Sequence, residues 1–166
     1  ARMTSQTHRI LVASDDPTTV VVLRRALEQS QHEVLTTEVA PSLVDFAGEC
    51  RPDLILLETP LSQGDDLELI RTLRQSEATS QTPIIFIVDA KKTEGIIAAL
   101  SSENCDCITR PFTTQEALAR VQLHLRLCEA ERSLHASETE LAIRGEQLAT
   151  LAREDSLTHL LNRRAW

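Results

Sequence analysis

The sequence has no apolar run approaching the roughly 20 residues that a membrane-spanning helix needs, and its polar start, residues 1–8, lacks the apolar stretch of a secretory signal. Both absences point to a cytoplasmic chain with no membrane association. No Cys-x-x-Cys pair occurs among Cys50, Cys105, Cys107 and Cys128, so the ligand spacing of a zinc site is missing. Cys105 and Cys107 stand two apart in an expected strand, too short a loop for an ordinary disulfide. Free, mostly buried thiols are expected. Basic charge is also scarce. Residues 1–112 hold ten basic and seventeen acidic side chains, against seven and eight in residues 113–166, for a net charge of −8. That excess argues against a nucleic-acid surface in the first part, whereas clustered acid there could hold a divalent cation.

What is present suits a globular protein. The 166 residues, 42% apolar and 25% charged, allow one domain of ordinary size with an appendage rather than two complete cores. Short β-like runs alternate with helical ones. Residues 9–13 (RILVA) form a compact apolar run of the kind that marks a buried parallel strand. Asp16 followed by Pro17 is a helix start, an acidic N-cap before a proline at the first helical position. That helix is expected to run to about Ser30, with Val21, Leu23, Ala26 and Leu27 as its apolar stripe. Residues 33–37 read as a second strand. Pro41 opens a second helix with Leu43, Val44 and Phe46 inward, and Arg51-Pro52 stops it.

Residues 53–57 (DLILL) are the most apolar strand and the expected centre of the sheet. A third helix carries residues 67–73, residues 83–88 (PIIFIV) form a fourth strand, a fourth helix covers residues 95–100, and residues 107–109 make a short fifth strand. This alternation implies an α/β fold with a parallel sheet covered on both faces. In such sheets the working crevice lies at the carboxyl ends of the strands. Asp15, Asp16, Glu58, Val88 and Arg110 are the residues at those ends.

After Thr113 the pattern changes to one long helix in which Gly145 is the only weak helix former of note. Leu118, Val121 and Leu125 keep a core-facing stripe. Leu127, Leu134, Leu141 and Leu148 then recur every seven residues, with Ala130, Ser137, Arg144 and Leu151 at the companion positions. A leucine at one heptad position and a mixed second position point to an imperfect two-stranded coiled coil. The alternative is a helix folded back on its own domain. An exposed helix of about 40 residues would be unstable alone, which favours a partner helix.

The order of 14–16 (SDD), 52–58 (PDLILLE), 83–88 (PIIFIV) and 108–112 (ITRPF) resembles the receiver domain of response regulators over about residues 8–126. The resemblance implies a flavodoxin-like (βα)5 fold in which Asp15 and Asp16 hold Mg²⁺. It further implies an aspartate at the end of the third strand that accepts a phosphoryl group from an upstream histidine kinase or another signalling protein. A hydroxyl on the fourth strand and a lysine after the fifth would bind the phosphoryl oxygens, and an aromatic residue on the fifth strand would report the change. Mg²⁺ and the lysine would neutralise charge that develops in transfer.

The sequence departs from that pattern at most of these positions. Glu58, one methylene longer, stands at the acceptor position, where a displacement of about 1 Å can cost around 100-fold in rate. Val88 offers no hydroxyl, Arg110 replaces a compact ammonium with a planar fork, and Cys107 stands where the aromatic is usual. Asp15 and Asp16 remain, although Asp16 also caps the first helix. A decayed phosphorylation site on an intact scaffold is one reading. In a sharper reading, Glu58 and Arg110 pair across the pocket, so that Glu58 supplies permanently the negative charge a phosphoryl group would add.

Residues 155–164 (DSLTHLLNRR) resemble the entry of GGDEF diguanylate cyclase domains, with His159 where glycine is usual. The resemblance implies a protein in four parts: a tail (1–7), a receiver-like domain (8–126), a coiled-coil linker (127–154) and the beginning of a cyclase domain (155–166). These residues would not themselves cyclise GTP. They would form a homodimer through the receiver face and the coiled coil, setting how two cyclase domains face each other to make cyclic di-GMP. The alternatives are a functional phosphoacceptor switch, a small-ligand sensor using the space between Asp16, Val88 and Arg110, or a receiver joined to another output such as a kinase.

Overall fold

The computed structural model describes residues 7–39, 42–58, 64–89 and 104–153, the side chains of 64–67 and 150–153 aside. Five strands, β1 (Arg9–Ala13), β2 (Glu33–Thr37), β3 (Leu54–Glu58), β4 (Ile84–Asp89) and β5 (Cys105–Arg110), form one parallel sheet in the order β2-β1-β3-β4-β5. This is the doubly wound order of flavodoxin-like folds, and β3 is central as expected. Among the described residues the helices are α1 (Pro17–Gln29), α2 (Leu43–Cys50), α3 (Gly64–Gln75) and α4 (Thr114–Arg153). The helix expected over residues 95–100 and the segment 155–166 lie outside the described residues, as does Pro41. No described helix is long and apolar enough to cross a membrane.

Strand alternation sorts the core into two layers. On one face Leu11, Ile55, Leu57, Ile84, Phe86 and Val88 pack with Leu43 and Ala47 of α2 and with Ile70 and Leu73 of α3. On the other, Ile10, Val12, Leu54, Leu56, Ile85, Ile87 and Ile108 pack with Leu23 and Leu27 of α1 and with Ala117, Val121 and Leu125 of α4. Burying one such leucine or isoleucine is worth about 1.5–3 kcal/mol. The two layers are therefore the main source of stability for residues 8–126.

The apolar stripe of α1 differs from expectation. Thr19, Leu23, Ala26 and Leu27 are its buried residues, while Val21 is 64% exposed. Two residues from Thr19 and two from Leu23, Val21 falls on the far side of a helix that turns about 100° per residue. On α2, Leu43 and Ala47 are buried, with Val44 and Phe46 partly buried against the same layer. The helix ends where Arg51 takes a left-handed conformation (φ 46°) and its N–H caps the Ala47 carbonyl at 3.0 Å. Pro52 then prevents continuation.

β5 begins two residues earlier than the sequence indicates. Its charged Asp106 interrupts the apolar pattern, yet that carboxylate is matched by Arg120 of α4 at 2.8 and 3.0 Å and by the His124 ring at 3.1 Å. All four cysteines are free thiols; Cys128 is buried, and Cys50, Cys105 and Cys107 are partly buried against the first layer. For Cys105 and Cys107 burial stays partial because β5 is an edge strand.

Arg74, at the end of α3, ties the turn before β4 to the start of β5, where the β4–β5 ladder begins at Ile84 and Cys105. Its guanidinium donates to the carbonyls of Ser80 at 3.0 Å, Thr82 at 2.6 Å and Asn104 at 3.2 Å, and to Cys105 Sγ at 3.2 Å. The chain divides into two compact units, residues 1–126 and 127–166. In the second, Leu127, Leu134, Leu141 and Leu148 are all exposed, by 49 to 67%.

Candidate functional site at the strand ends

Register brings the polar residues together. β1 and β3 align Val12 with Leu56 and Ala13 with Leu57, so Ser14 follows β1 beside Glu58 at the end of β3. β4 and β5 align Ile87 with Ile108 and Asp89 with Arg110. Ser14, Glu58 and Arg110 share the parity of the layer that packs on α1 and α4. Their side chains therefore meet above Val12, Leu56 and Ile108, next to the start of α1.

That start is fixed by Asp16. Its extended backbone (φ −93°, ψ 108°) places it as the N-cap, with Oδ1 accepting from Thr18 N at 3.0 Å and Pro17 at the first helical position. Its Oδ2 accepts from the Thr19 hydroxyl at 2.7 Å and from Arg110 Nη2 at 3.3 Å. These partners outweigh burial and hold the Asp16 carboxyl at about 2, with the Thr19 hydroxyl the largest cause and the Thr18 N–H next.

Glu58 is enclosed by two partners. One carboxylate oxygen, Oε2, accepts from the Ser14 hydroxyl, and the other, Oε1, forms an ion pair with Arg110 Nη2. The same Nη2 also donates to the Thr19 hydroxyl. One guanidinium nitrogen thus touches a strand-end glutamate, a helix-capping aspartate and a helix hydroxyl. The glutamate–arginine pairing expected from sequence is present.

Asp15 is turned elsewhere, since its Oδ1 accepts from Val39 N at 2.8 Å beyond the end of β2. Val88 and Cys107 are not in the polar cluster. Val88 is buried among Leu57 and Phe86 in the opposite layer, and Cys107 packs against that layer. Burial, and then the neighbouring Asp106 carboxylate, push the Cys107 thiol up, which keeps it protonated. The space expected between Asp16, Val88 and Arg110 is a shallow cleft of about 460 Å³ that Asp89, not Val88, borders together with Asp16, Thr19, Arg110 and Phe112. The parity that buries Val88 exposes its neighbour.

Mg²⁺ does not fit the site as arranged. Both oxygens of Asp16 and both of Glu58 already accept from protein donors, and Asp15 faces a backbone N–H. Among the described residues, no group of three or more acidic, histidine or cysteine side chains is placed to hold a metal ion. Thr19 is the working residue that sequence reasoning missed. Its signal was its position three residues after an acidic N-cap, where a side chain can return to the cap.

Comparison with known proteins agrees with this architecture. The sequence profile of the response regulator receiver domain matches residues 10–122. The DNA-binding response regulator MtrA of Mycolicibacterium smegmatis is 28% identical over 160 residues, covering 95% of this chain and 69% of MtrA. The receiver domain of the sensor histidine kinase PA1611 from Pseudomonas aeruginosa PAO1, with a magnesium ion coordinated in its active site cleft, has a TM-score of 0.62 at 22% identity over 72% of this chain and 98% of that one. The receiver domain of a modulated diguanylate cyclase from Desulfovibrio desulfuricans G20 has a TM-score of 0.64 at 21% identity over 76% and 99%. By its matched profile, its sheet order and its strand-end acidic cluster, the chain belongs to the response regulator receiver domain family.

Proposed function

We propose that this chain is the regulatory and dimerisation module of a response-regulator-type diguanylate cyclase, and that it works without phosphorylation. The observation that carries the reading is the Glu58–Arg110 ion pair. The acceptor position holds a longer carboxylate whose two oxygens are already engaged by Arg110 and Ser14. A phosphoryl donor would have to break both contacts, and no hydroxyl at Val88 would receive the product. Glu58 instead supplies a fixed negative charge, and the domain stays near one conformation. Signal then passes through the association of two copies, by the receiver face and by the helix carrying Leu127, Leu134, Leu141 and Leu148. Helix register would set how two output domains meet. The segment DSLTHLLNRR and the likeness to a cyclase receiver support cyclic di-GMP synthesis as the output.

Incubation with acetyl phosphate and Mg²⁺, followed by intact mass and peptide mapping, tests this. No phosphoryl adduct on Glu58 is expected, and stoichiometric labelling there would overturn the locked pocket. A second reading has its own support, because MtrA, similar over 95% of this chain, is a DNA-binding regulator. The coding sequence that follows Trp166 separates the two, through either a GTP-binding body or a DNA-binding fold.

A further inference from the structure

We infer that His8 and His32 form a two-histidine site for a divalent transition-metal ion, at the end of the sheet opposite the strand-end pocket. His8 leads into β1 and His32 into β2, and the five residues of β1 put about 17 Å between this end and the pocket. The parallel register pairs Arg9 with Glu33 and Ile10 with Val34. The two histidines, one step before it, therefore stand opposite each other on the face that carries Ile10 and Val34. Their ring centroids are 5.6 Å apart and the ring planes are inclined by 54°. Both backbones are anchored. Gln31 turns the chain in the left-handed region (φ 65°). His32 N–H then donates to the Leu27 carbonyl at 3.1 Å, and Glu33 N–H donates to the His8 carbonyl at 2.9 Å.

The chemistry of the pair favours a shared metal over a simple packing contact. Both side chains are half-buried, and His32 Nδ1 is buried without a hydrogen bond. A ring nitrogen in that position is costly, and a cation held between the two rings is one resolution of the cost. Burial first, and the neighbouring His8 second, lower the His32 pKa below its ordinary 6.5, so the ring stays neutral at neutral pH, the state that binds metal. Zinc–nitrogen bonds of about 2.0–2.1 Å let two rings at this separation and tilt share one ion. Imidazole nitrogen suits Zn²⁺, Ni²⁺ or Cu²⁺, whereas Mg²⁺ takes oxygen. The site thus differs from the strand-end acids in ligand chemistry as well as in place. Among the described residues no group of three or more ligating side chains is assembled, so water completes the coordination shell. A bound ion would clip the entry of β1 to that of β2, an edge strand.

Zinc titration of the full chain under reducing conditions tests this, followed by calorimetry and by long-range ¹H–¹⁵N spectra of the imidazole nitrogens. Saturable Zn²⁺ binding is expected in which the ring nitrogens of His8 and His32 move together while those of His124 and His135 do not. His8→Gln and His32→Gln should each weaken that binding at least about tenfold, the smallest loss typical even of a ligand's outer partner. Absence of saturable binding, or zinc taken up by the thiols with both rings unmoved, would overturn the inference. So would an affinity that survives either substitution, because the site needs both rings. Neither histidine belongs to a core layer, so both variants should fold; were one not to, the ring spectra of the wild-type chain decide.

Discussion

Arg110 and Asp16, 94 residues apart in the chain, meet with Nη2 3.3 Å from Oδ2. The contact fastens the end of β5 to the N-cap of α1, two points that no backbone ladder joins. Asp16 consequently has two tasks, ending the turn after β1 and receiving the strand-end cation.

The acid limb of stability should report that double role. The Asp16 carboxyl is held at about 2, below its ordinary 3.8, first by the Thr19 hydroxyl and then by the Thr18 N–H, with Arg110 adding to both. A depressed folded value means the unfolded chain takes up the proton first. Asp16 therefore contributes its full stability above about pH 4, and the contribution is lost as pH falls through the window from 3.8 towards 2. Asp16→Asn keeps a capping oxygen but has no proton to take up. Urea midpoints measured between pH 5 and pH 2 should fall less steeply in that variant than in wild type. Parallel curves would remove Asp16 from the acid response.

The Arg74 network predicts a stability effect remote from the pocket. From α3 its guanidinium donates to four carbonyls and a thiol in the 76–83 loop and at the start of β5. Hydrogen bonds to charged groups each contribute about 1.5–3 kcal/mol, although sharing and partial exposure reduce the sum. Arg74→Ala should destabilise by about 2–3 kcal/mol, and Arg74→Lys should recover only part, because one ammonium cannot span acceptors on two segments. Urea unfolding of both variants checks this, and a change in Arg74→Ala below 0.5 kcal/mol, the usual range for a surface substitution, would refute it.

How much of this was legible in the residues depended on whether a local rule decided it. β1 and β2 were readable to the residue, since RILVA and EVLTT are bounded by polar turns, and the Asp16-Pro17 cap was readable because its chemistry is local. The Glu58–Arg110 pair could be anticipated from complementary departures at two strand ends. The stripe of α1 departs from expectation at Val21 because three consecutive valines hide which face turns inward. The early start of β5 was hidden by Asp106, whose charge is compensated only by residues 14 and 18 positions later on α4. Resemblance alone assigns Val88 to the pocket, whereas strand parity puts it in the core and leaves Asp89 at the rim. Arg74 left no local trace, since its acceptors are backbone carbonyls brought near by folding.

The leucine repeat carries the last prediction. Leu134 and Leu141 are 62% and 66% exposed within a continuous helix from Thr114 to Arg153. A water-facing row of leucines seven apart leaves apolar surface that a second copy of the same helix would cover. Each leucine buried in that way contributes about 1.5–3 kcal/mol. Replacing both with glutamate removes that burial in both protomers and sets like charges against each other along the seam. Leu134→Glu/Leu141→Glu should therefore raise the dimer dissociation constant by at least about a hundredfold, some 2.7 kcal/mol. Thr139→Glu, outside both heptad positions of the seam, should leave it within about threefold. Light scattering over a dilution series would show the double variant as a monomer where wild type is a dimer. Were wild type itself monomeric at the highest concentration, association through this helix would have to be given up.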